Sequence, residues 1–146
     1  QGRGPGFMSS PLTISLPPYA LALDMEVADN IDGTPVIGMP FADKVQGRPG
    51  FLHGGAISGL LEMAAVAAIH QSLRAKGSDN GIKQVNVTID FMRGGLPQMT
   101  YAMGEVIRLG RTMANVEARA WQDDRAKPIA IGTMHYLIRR PKIEVS

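Results

Sequence analysis

Glu62 is the only ionisable side chain between Gly54 and Ile69, in the most apolar part of the sequence. Burying a lone carboxylate costs several kcal/mol unless the charge is neutralised or paired. A carboxylate in such a place often acts as a general base or a nucleophile. The alternative is that Glu62 reaches solvent at the edge of its helix, or pairs with an arginine.

A second feature, His53-Gly54-Gly55, stands at the start of the same apolar segment. A glycine has no side chain, so a ligand can approach its backbone closely. The first N–H groups of a helix have no partner within the helix and lie at the positive end of its dipole. Such a helix start suits an anion or a polarised carbonyl oxygen. The alternative is a glycine-rich entry turn that binds nothing.

The spacing of these two features limits how they can act together. Gly54 and Glu62 lie eight residues apart, which is about 12 Å along a helix axis. A base or nucleophile and an oxyanion donor must each lie about 3 Å from the reacting atoms. If both act on one substrate, they therefore come from different chains. Two helices packed antiparallel across a two-fold axis would create two equivalent sites of this kind.

The segment that carries these residues is predicted to be a long buried helix. Residues 54–73 are rich in Ala, Leu and Met, which are good helix formers, and their apolar positions occur all the way round. The basic residues Arg74 and Lys76 followed by Gly77 are typical of a helix C-terminus. The apolar surface that one chain leaves uncovered on this helix would need a second subunit.

The remainder of the chain is predicted to be mostly strand. Strict alternation of apolar and polar residues predicts a strand at 85–91, and the turn residues that follow delimit further strands at 100–109, 113–121 and 129–139. Before the helix we expect strands at 19–27 and 34–39 with a turn at 29–33, and a loop at 42–52. We therefore expect an α+β fold in which one long central helix is wrapped by a curved antiparallel sheet of five to six strands.

Composition limits the class of protein. The 146 residues are enough for one domain, and 45% apolar with 19% charged residues is typical of a globular chain. A net charge of +2 is too small to argue for nucleic acid or an anionic membrane, and neither partner is expected. Residues 63–69, the longest apolar run, are far shorter than the roughly 20 residues of a membrane helix. The absence of cysteine excludes disulfides and thiolate chemistry. We expect a cytoplasmic protein, with residues 1–7 as the remnant of a tag and 8–146 as a single domain.

The motif formed by His53-Gly54-Gly55 and Glu62 resembles that of the hotdog-fold thioesterases. The likeness is to the branch that includes the phenylacetyl-CoA thioesterase-like proteins and one type of 4-hydroxybenzoyl-CoA thioesterase. Their signature is His-Gly-Gly with a carboxylate nine residues after the His, as His53 and Glu62 are placed here. The likeness continues through residues 85–92, the Gly110-Arg111 turn and the last strand, which ends at Arg139.

This resemblance implies a catalytic role for each residue of the motif. Glu62 would be the nucleophile or the general base. The N–H of Gly54, together with that of Gly55, would hold the thioester oxygen. His53 would orient the loop or help to bind the carbonyl group.

The resemblance also implies substrate-binding residues. Gln84 falls where many relatives have Ser or Thr beside the carboxylate. Some relatives have Asn six residues before the His; this chain has Gly47 there, with Gln46 beside it as a substitute. Arg93 and Arg111, at strand ends, could meet the phosphates of coenzyme A.

The function that we expect from this resemblance is that of an acyl-CoA thioesterase. It would hydrolyse an aryl- or alkanoyl-CoA thioester to the free acid and coenzyme A. No cofactor is expected beyond the coenzyme A of the substrate, and no metal. The assembly would be a homodimer with shared active sites, and a homotetramer of such dimers. The alternatives are a hotdog dehydratase or hydratase acting on acyl thioesters, and a non-catalytic acyl-CoA binding module.

Overall fold

The fold is a six-stranded antiparallel sheet with one long helix against it. The computed structural model of the protein describes residues 16–77 and 81–139. The elements, in chain order, are α1 (Pro18–Ala22), β1 (Glu26–Ile31), β2 (Thr34–Met39), a 3-10 turn (Asp43–Val45), α2 (Gly54–Ala75), β3 (Gly81–Phe91), β4 (Thr100–Leu109), β5 (Met113–Trp121) and β6 (Ala130–Arg139). This confirms the predicted fold class. Residues 1–7, interpreted as a tag remnant, lie outside the described residues.

The strand order in the sheet is β1-β2-β4-β5-β6-β3. The chain after α2 therefore does not form a simple series of hairpins, because β3 pairs with β6 and not with β4. β3 lies at the edge of the sheet and leaves apolar side chains accessible in the protomer, with Val85 46% and Phe91 55% exposed. A long, apolar edge strand of this kind is a surface on which another chain can pair.

The core lies between α2 and the sheet. α2 buries a series of small and branched apolar side chains, among them Leu60, Leu61, Ala64 and Ile69. Gly104 on β4 makes this approach possible: a Cβ there would lie 2.8 Å from the Ala64 carbonyl oxygen and 3.0 Å from the Ala65 Cα. The helix therefore rests on the backbone of β4.

α2 is also long and apolar enough to cross a membrane by length and composition alone. The uninterrupted apolar run at 63–69 is too short to indicate a membrane span, because Ser58 and Glu62 interrupt the apolar sequence of the helix. These two residues do not make the helix polar overall. In the structure, 61% of its most apolar window is buried within the fold. A buried core helix meets the same criterion, so the criterion is weak support for a membrane span.

Most predicted elements after residue 33 are confirmed. The strands predicted at 34–39, 100–109 and 113–121 have those bounds, the last strand starts one residue later than predicted, and α2 extends two residues beyond residue 73. Gly77 follows the helix with a φ of +71°, as expected of a C-terminal glycine.

The strand predicted at 19–27 is wrong. Pro18 occupies the first turn of α1, where its fixed φ suits a helix and its missing N–H costs nothing. Asp24 then takes a φ of 59°, which reverses the chain, and β1 begins only at Glu26. The turn predicted at 29–33 is narrower than expected, because Asp32 and Gly33 alone have the positive φ values of a two-residue hairpin turn.

Gly104→Ala tests how closely the helix rests on the sheet. The added methyl group would meet backbone atoms of α2 that cannot move independently, so we expect the free energy of unfolding to fall by about 1–3 kcal/mol. Gly81→Ala is the matched control, since a Cβ there would meet nothing closer than 3.9 Å. Urea unfolding at equal protein concentration measures both variants, and equal stability of the two would contradict the packing described above.

Candidate active site

His53 caps the start of α2. Its Nδ1 accepts a hydrogen bond from the Gly55 N–H at 2.9 Å, and its own backbone N–H donates to the Val45 carbonyl oxygen at 2.7 Å. Because Nδ1 is the acceptor, a neutral imidazole carries its proton on Nε2. His53 therefore holds the helix start and its preceding loop in one arrangement, and presents an exposed Nε2–H.

The two glycines of the motif differ in their surroundings. A Cβ at Gly55 would lie 2.8 Å from the His53 Cε1 and 2.9 Å from its Nδ1, so only glycine lets the imidazole fold over the helix start. A Cβ at Gly54 would meet nothing closer than the Phe91 Cζ at 3.6 Å, which is an ordinary contact. The cap engages the Gly55 N–H and not the Gly54 N–H. Gly54 therefore offers the helix N–H that a ligand can use.

Glu62 lies about two turns further along α2 and is half-buried. Its Oε1 accepts a hydrogen bond from the Gln84 Nε2 at 3.0 Å. The sequence left open that Glu62 reaches solvent at the helix edge or pairs with an arginine. The contact with Gln84 is neither of these. The carboxylate is held by a neutral amide from the edge strand β3.

Gln84 also reaches a buried tyrosine that the sequence analysis missed. Its Nε2 lies 3.4 Å from the Tyr136 hydroxyl, which in turn donates to the Met134 Sδ at 3.4 Å. Burial raises the pKa of Tyr136; the hydrogen bond from Gln84 lowers it, and the nearby charge of Glu62 raises it. Tyr136 therefore keeps its proton at neutral pH. The only sequence signal was its place in the inward-facing series of β6, which equally indicates a core residue.

Tyr19 is a second residue that the sequence analysis did not select. Its hydroxyl lies 3.4 Å from the Gly55 carbonyl oxygen, and its ring lies against Gly59, where a Cβ would collide with it. Gly55 and Gly59 lie one helical turn apart on the same face of α2. This pair of glycines was the sequence signal that another element packs closely against that face. α1 is thereby attached beside the helix start.

The predicted substrate-binding residues do not all lie together. The Phe91 ring lies beside Gly54, 3.6 Å from the position that a Cβ on this glycine would take, so Arg93, two residues later, lies at the end of the sheet where α2 starts. Along β6, Ala130 pairs with Phe91 and Leu137 pairs with Met113. The seven steps along β6 from Ala130 to Leu137 span about 23 Å. The Arg111 turn, next to Met113, is therefore at the opposite end of the sheet in the same protomer.

Gln46 and Gly47 belong to the loop before His53. The Gln46 Oε1 accepts from the Gly50 N–H at 3.0 Å, so that oxygen stabilises the loop itself. A Cβ at Gly47 would lie 3.2 Å from the His53 Cα, which explains in steric terms why this loop has glycine there. Within residues 16–77 and 81–139, no group of three or more His, Asp or Glu side chains is placed to hold a metal ion.

The profile of the thioesterase superfamily matches residues 49–129, a range that includes His53, Glu62 and Gln84. The chain belongs to this superfamily. Among solved structures it is similar to a protein from Chromobacterium violaceum, with 32% identity over 87% of this chain and 85% of that chain and a TM-score of 0.64. Among curated proteins, none matches the sequence.

Solved structures of lower sequence identity share the hotdog fold. A Haemophilus influenzae thioesterase is 15% identical, covers 84% of this chain and 82% of its own length, and has a TM-score of 0.73. A Bacillus halodurans protein solved with CoA is 19% identical, covers 94% of this chain and 88% of its own, and has a TM-score of 0.74.

The different surroundings of Gly54 and Gly55 predict different effects of the same substitution. Gly54→Ala adds a methyl group in ordinary van der Waals contact with the Phe91 ring, whereas Gly55→Ala displaces the His53 imidazole from its capping position. We expect Gly55→Ala to be less stable than Gly54→Ala by about 1 kcal/mol, the usual value of an N-cap. Each variant serves as the other's control, because both gain the same helix propensity. Equal unfolding midpoints in urea would show that the cap contributes nothing.

Proposed function

We propose that the protein is an acyl-CoA thioesterase that hydrolyses an aryl- or alkanoyl-CoA thioester to the free acid and coenzyme A. The observation that carries the proposal is the half-buried carboxylate of Glu62, of which the amide of Gln84 holds one oxygen. Membership of the thioesterase superfamily supports the class of reaction. The Bacillus halodurans relative solved with CoA supports the class of substrate.

Two mechanisms fit a carboxylate in this position. As a general base, Glu62 takes a proton from water while the water oxygen attacks the thioester carbon. As a nucleophile, its carboxylate attacks that carbon and forms an acyl-enzyme anhydride, which water then hydrolyses. In both, the tetrahedral centre expels the coenzyme A thiolate, and an N–H at the helix start stabilises its oxyanion.

We propose that each site is shared between two protomers of a homodimer. Gly54 and Glu62 lie on one continuous helix, about 12 Å apart along its axis, so one chain cannot bring both to one carbonyl carbon. The uncovered edge of β3 offers the surface on which a second copy can pair. A two-fold axis across this edge reverses the helix of the partner and produces two equivalent sites. The homotetramer expected from the resemblance would pair two such dimers.

The same two-fold axis supports a role for the basic strand ends. It turns the end of the sheet that carries Arg111 in one protomer toward the end where α2 starts in the other. Arg93 already lies at that end in its own chain. We propose that these exposed guanidinium groups meet the coenzyme A phosphates where the nucleotide leaves the site.

The dehydratase alternative needs a histidine base and a carboxylate acting together on the acyl chain. His53 already uses its Nδ1 to cap the helix, and it lies about two and a half turns of helix before Glu62. The binding-module alternative needs no chemistry at all. Substitution of Glu62 separates it from the proposed enzyme.

Glu62→Gln tests the proposed activity. The amide keeps the size of the side chain but removes the base and the charge, so we expect kcat to fall at least about a hundredfold with the fold intact. Thiol release from a panel of aryl- and alkanoyl-CoA thioesters measures the loss, and circular dichroism checks the fold. Glu105→Gln, which neutralises an exposed carboxylate on β4, is the control and should keep its activity.

Near wild-type turnover of Glu62→Gln on every thioester would refute the catalytic role of Glu62 and favour the binding-module alternative. Single turnover of the wild type in ¹⁸O-labelled water then separates the mechanisms. Label in Glu62 indicates the anhydride, whereas label in the product acid alone favours the general base, since an anhydride gives that result only when water attacks its acyl carbon.

Subunit mixing tests the shared site. We expect Glu62→Gln and Gly54→Val each to be inactive, the second because its side chain blocks the helix N–H. In a mixed dimer one site combines the intact Glu62 of one chain with the intact Gly54 of the other. Equal mixing after unfolding and refolding should therefore restore about a quarter of wild-type activity, since half of the dimers are mixed and each has one intact site. Refolding each variant alone is the control; no recovery on mixing would place both groups of a site in one chain.

A further inference from the structure

We propose that Tyr136 is a positioning residue that orients the catalytic carboxylate of Glu62 through Gln84. The inference rests on the proposed function, because it assigns a role to a residue behind the same site. Tyr136 is fully buried and lies beyond the reach of a substrate at the surface of α2. Its hydroxyl is the one polar group of this side chain, and a buried hydroxyl requires a hydrogen-bond partner.

The hydrogen bonds around Gln84 have only one consistent direction. An amide nitrogen has two hydrogens, and the Gln84 Nε2 lies near two acceptors: the Glu62 Oε1 at 3.0 Å and the Tyr136 oxygen at 3.4 Å. The Tyr136 proton points to the Met134 Sδ, so its oxygen is free to accept. Rotating the amide by half a turn would set its carbonyl oxygen against the carboxylate. Tyr136, by accepting the second hydrogen of the amide, adds to the preference for the orientation in which Gln84 donates to Glu62.

This arrangement distinguishes the two oxygens of Glu62. Oε1 is engaged by Gln84. Oε2 is the oxygen that remains to take a proton from water or to attack the thioester carbon. A fixed amide thus fixes which oxygen reacts and the direction of its lone pairs, and reactions of this kind are sensitive to small errors in position.

The backbone of Tyr136 is held more firmly by the sheet than the backbone of Gln84. Gln84 lies on the edge strand β3, directly opposite Tyr136 in the register. β6, which carries Tyr136, is paired on both sides, with β3 and with β5. The register of β3 shifts immediately after Gln84, where Val85 is an extra residue, and a β-bulge of this kind commonly redirects a side chain beside a site. A residue on an edge strand and next to a bulge gains most from an anchor in the centre of the sheet.

Tyr136→Phe tests the proposal, because it removes the hydroxyl and keeps the ring in the core. We expect kcat to fall about fivefold to tenfold, as for the loss of one neutral hydrogen bond, with KM unchanged within about twofold. Gln84→Met, which keeps the length of the side chain without its donors, should lower kcat at least as much. Tyr101→Phe is the matched control: it removes another tyrosine hydroxyl, on β4, that makes no contact with Glu62 or Gln84, and it should change neither constant.

The decisive comparison is the double variant Tyr136→Phe with Gln84→Met. If Tyr136 acts through Gln84, the double variant has the kcat of Gln84→Met alone, because no amide remains to be oriented. A structural role for Tyr136 would give losses that multiply, and that result would overturn the proposal. A Tyr136→Phe enzyme with wild-type kcat would do the same. Met134→Leu, which frees the Tyr136 proton without changing the ring, provides a second variant that should show the same dependence on Gln84.

These outcomes separate the two proposals. Full activity of Glu62→Gln would refute the proposed function and remove the basis of the inference. An inactive Glu62→Gln together with multiplying losses at Tyr136 and Gln84 would leave the thioesterase in place and refute the role of Tyr136 alone.

Discussion

The close contact between α2 and β4 determines where each group of the site lies. Gly104 brings the backbone of the strand against Ala64 and Ala65, so the helix cannot tilt or slide without a collision. With its axis fixed in this way, α2 holds Glu62 beside the edge strand β3 and its first turn beside Phe91 at one end of the sheet. The packing of the core therefore fixes the positions of Glu62 and of the helix start, although both lie near the surface.

A single rigid helix also separates the two kinds of group that thioester hydrolysis needs. Its positive end can stabilise an oxyanion, and its middle carries the carboxylate, but their distance along the axis is too great for one substrate. The uncovered apolar edge at β3 lies next to Glu62, on the side where a second helix would have to approach. In the proposed dimer, pairing along this edge would complete both the surface and the site, which is the physical reason for proposing that activity depends on assembly.

The parts of the fold that periodicity controls could be predicted from the sequence. An Ala-rich run without a polar face predicts α2, and strict alternation at 84–91 predicts the greater part of β3, because both patterns follow directly from backbone geometry. α1 was missed because its five residues are too few to show a helical period, and Pro18 was the only local signal. The pairing of β3 with β6 could not be predicted, since a strand's own residues do not specify its neighbour. Glu62 and the glycines could be recognised from their residue types. Tyr136 could not, because a large side chain at a buried position of a strand indicates only a core residue.

The identity of the residue beside Glu62 matters for what the carboxylate can do. An arginine partner would stabilise the charge strongly and make the carboxylate a weaker base. A short hydroxyl side chain on β3 could contact Glu62, but it could not extend at the same time to a hydroxyl in the middle of the sheet. Gln84 is neutral and long enough for both contacts, so it restrains one carboxylate oxygen without cancelling the charge. The direction of that restraint then depends on a buried tyrosine, which is how a core position on β6 becomes connected to the reactivity of a half-exposed group on α2.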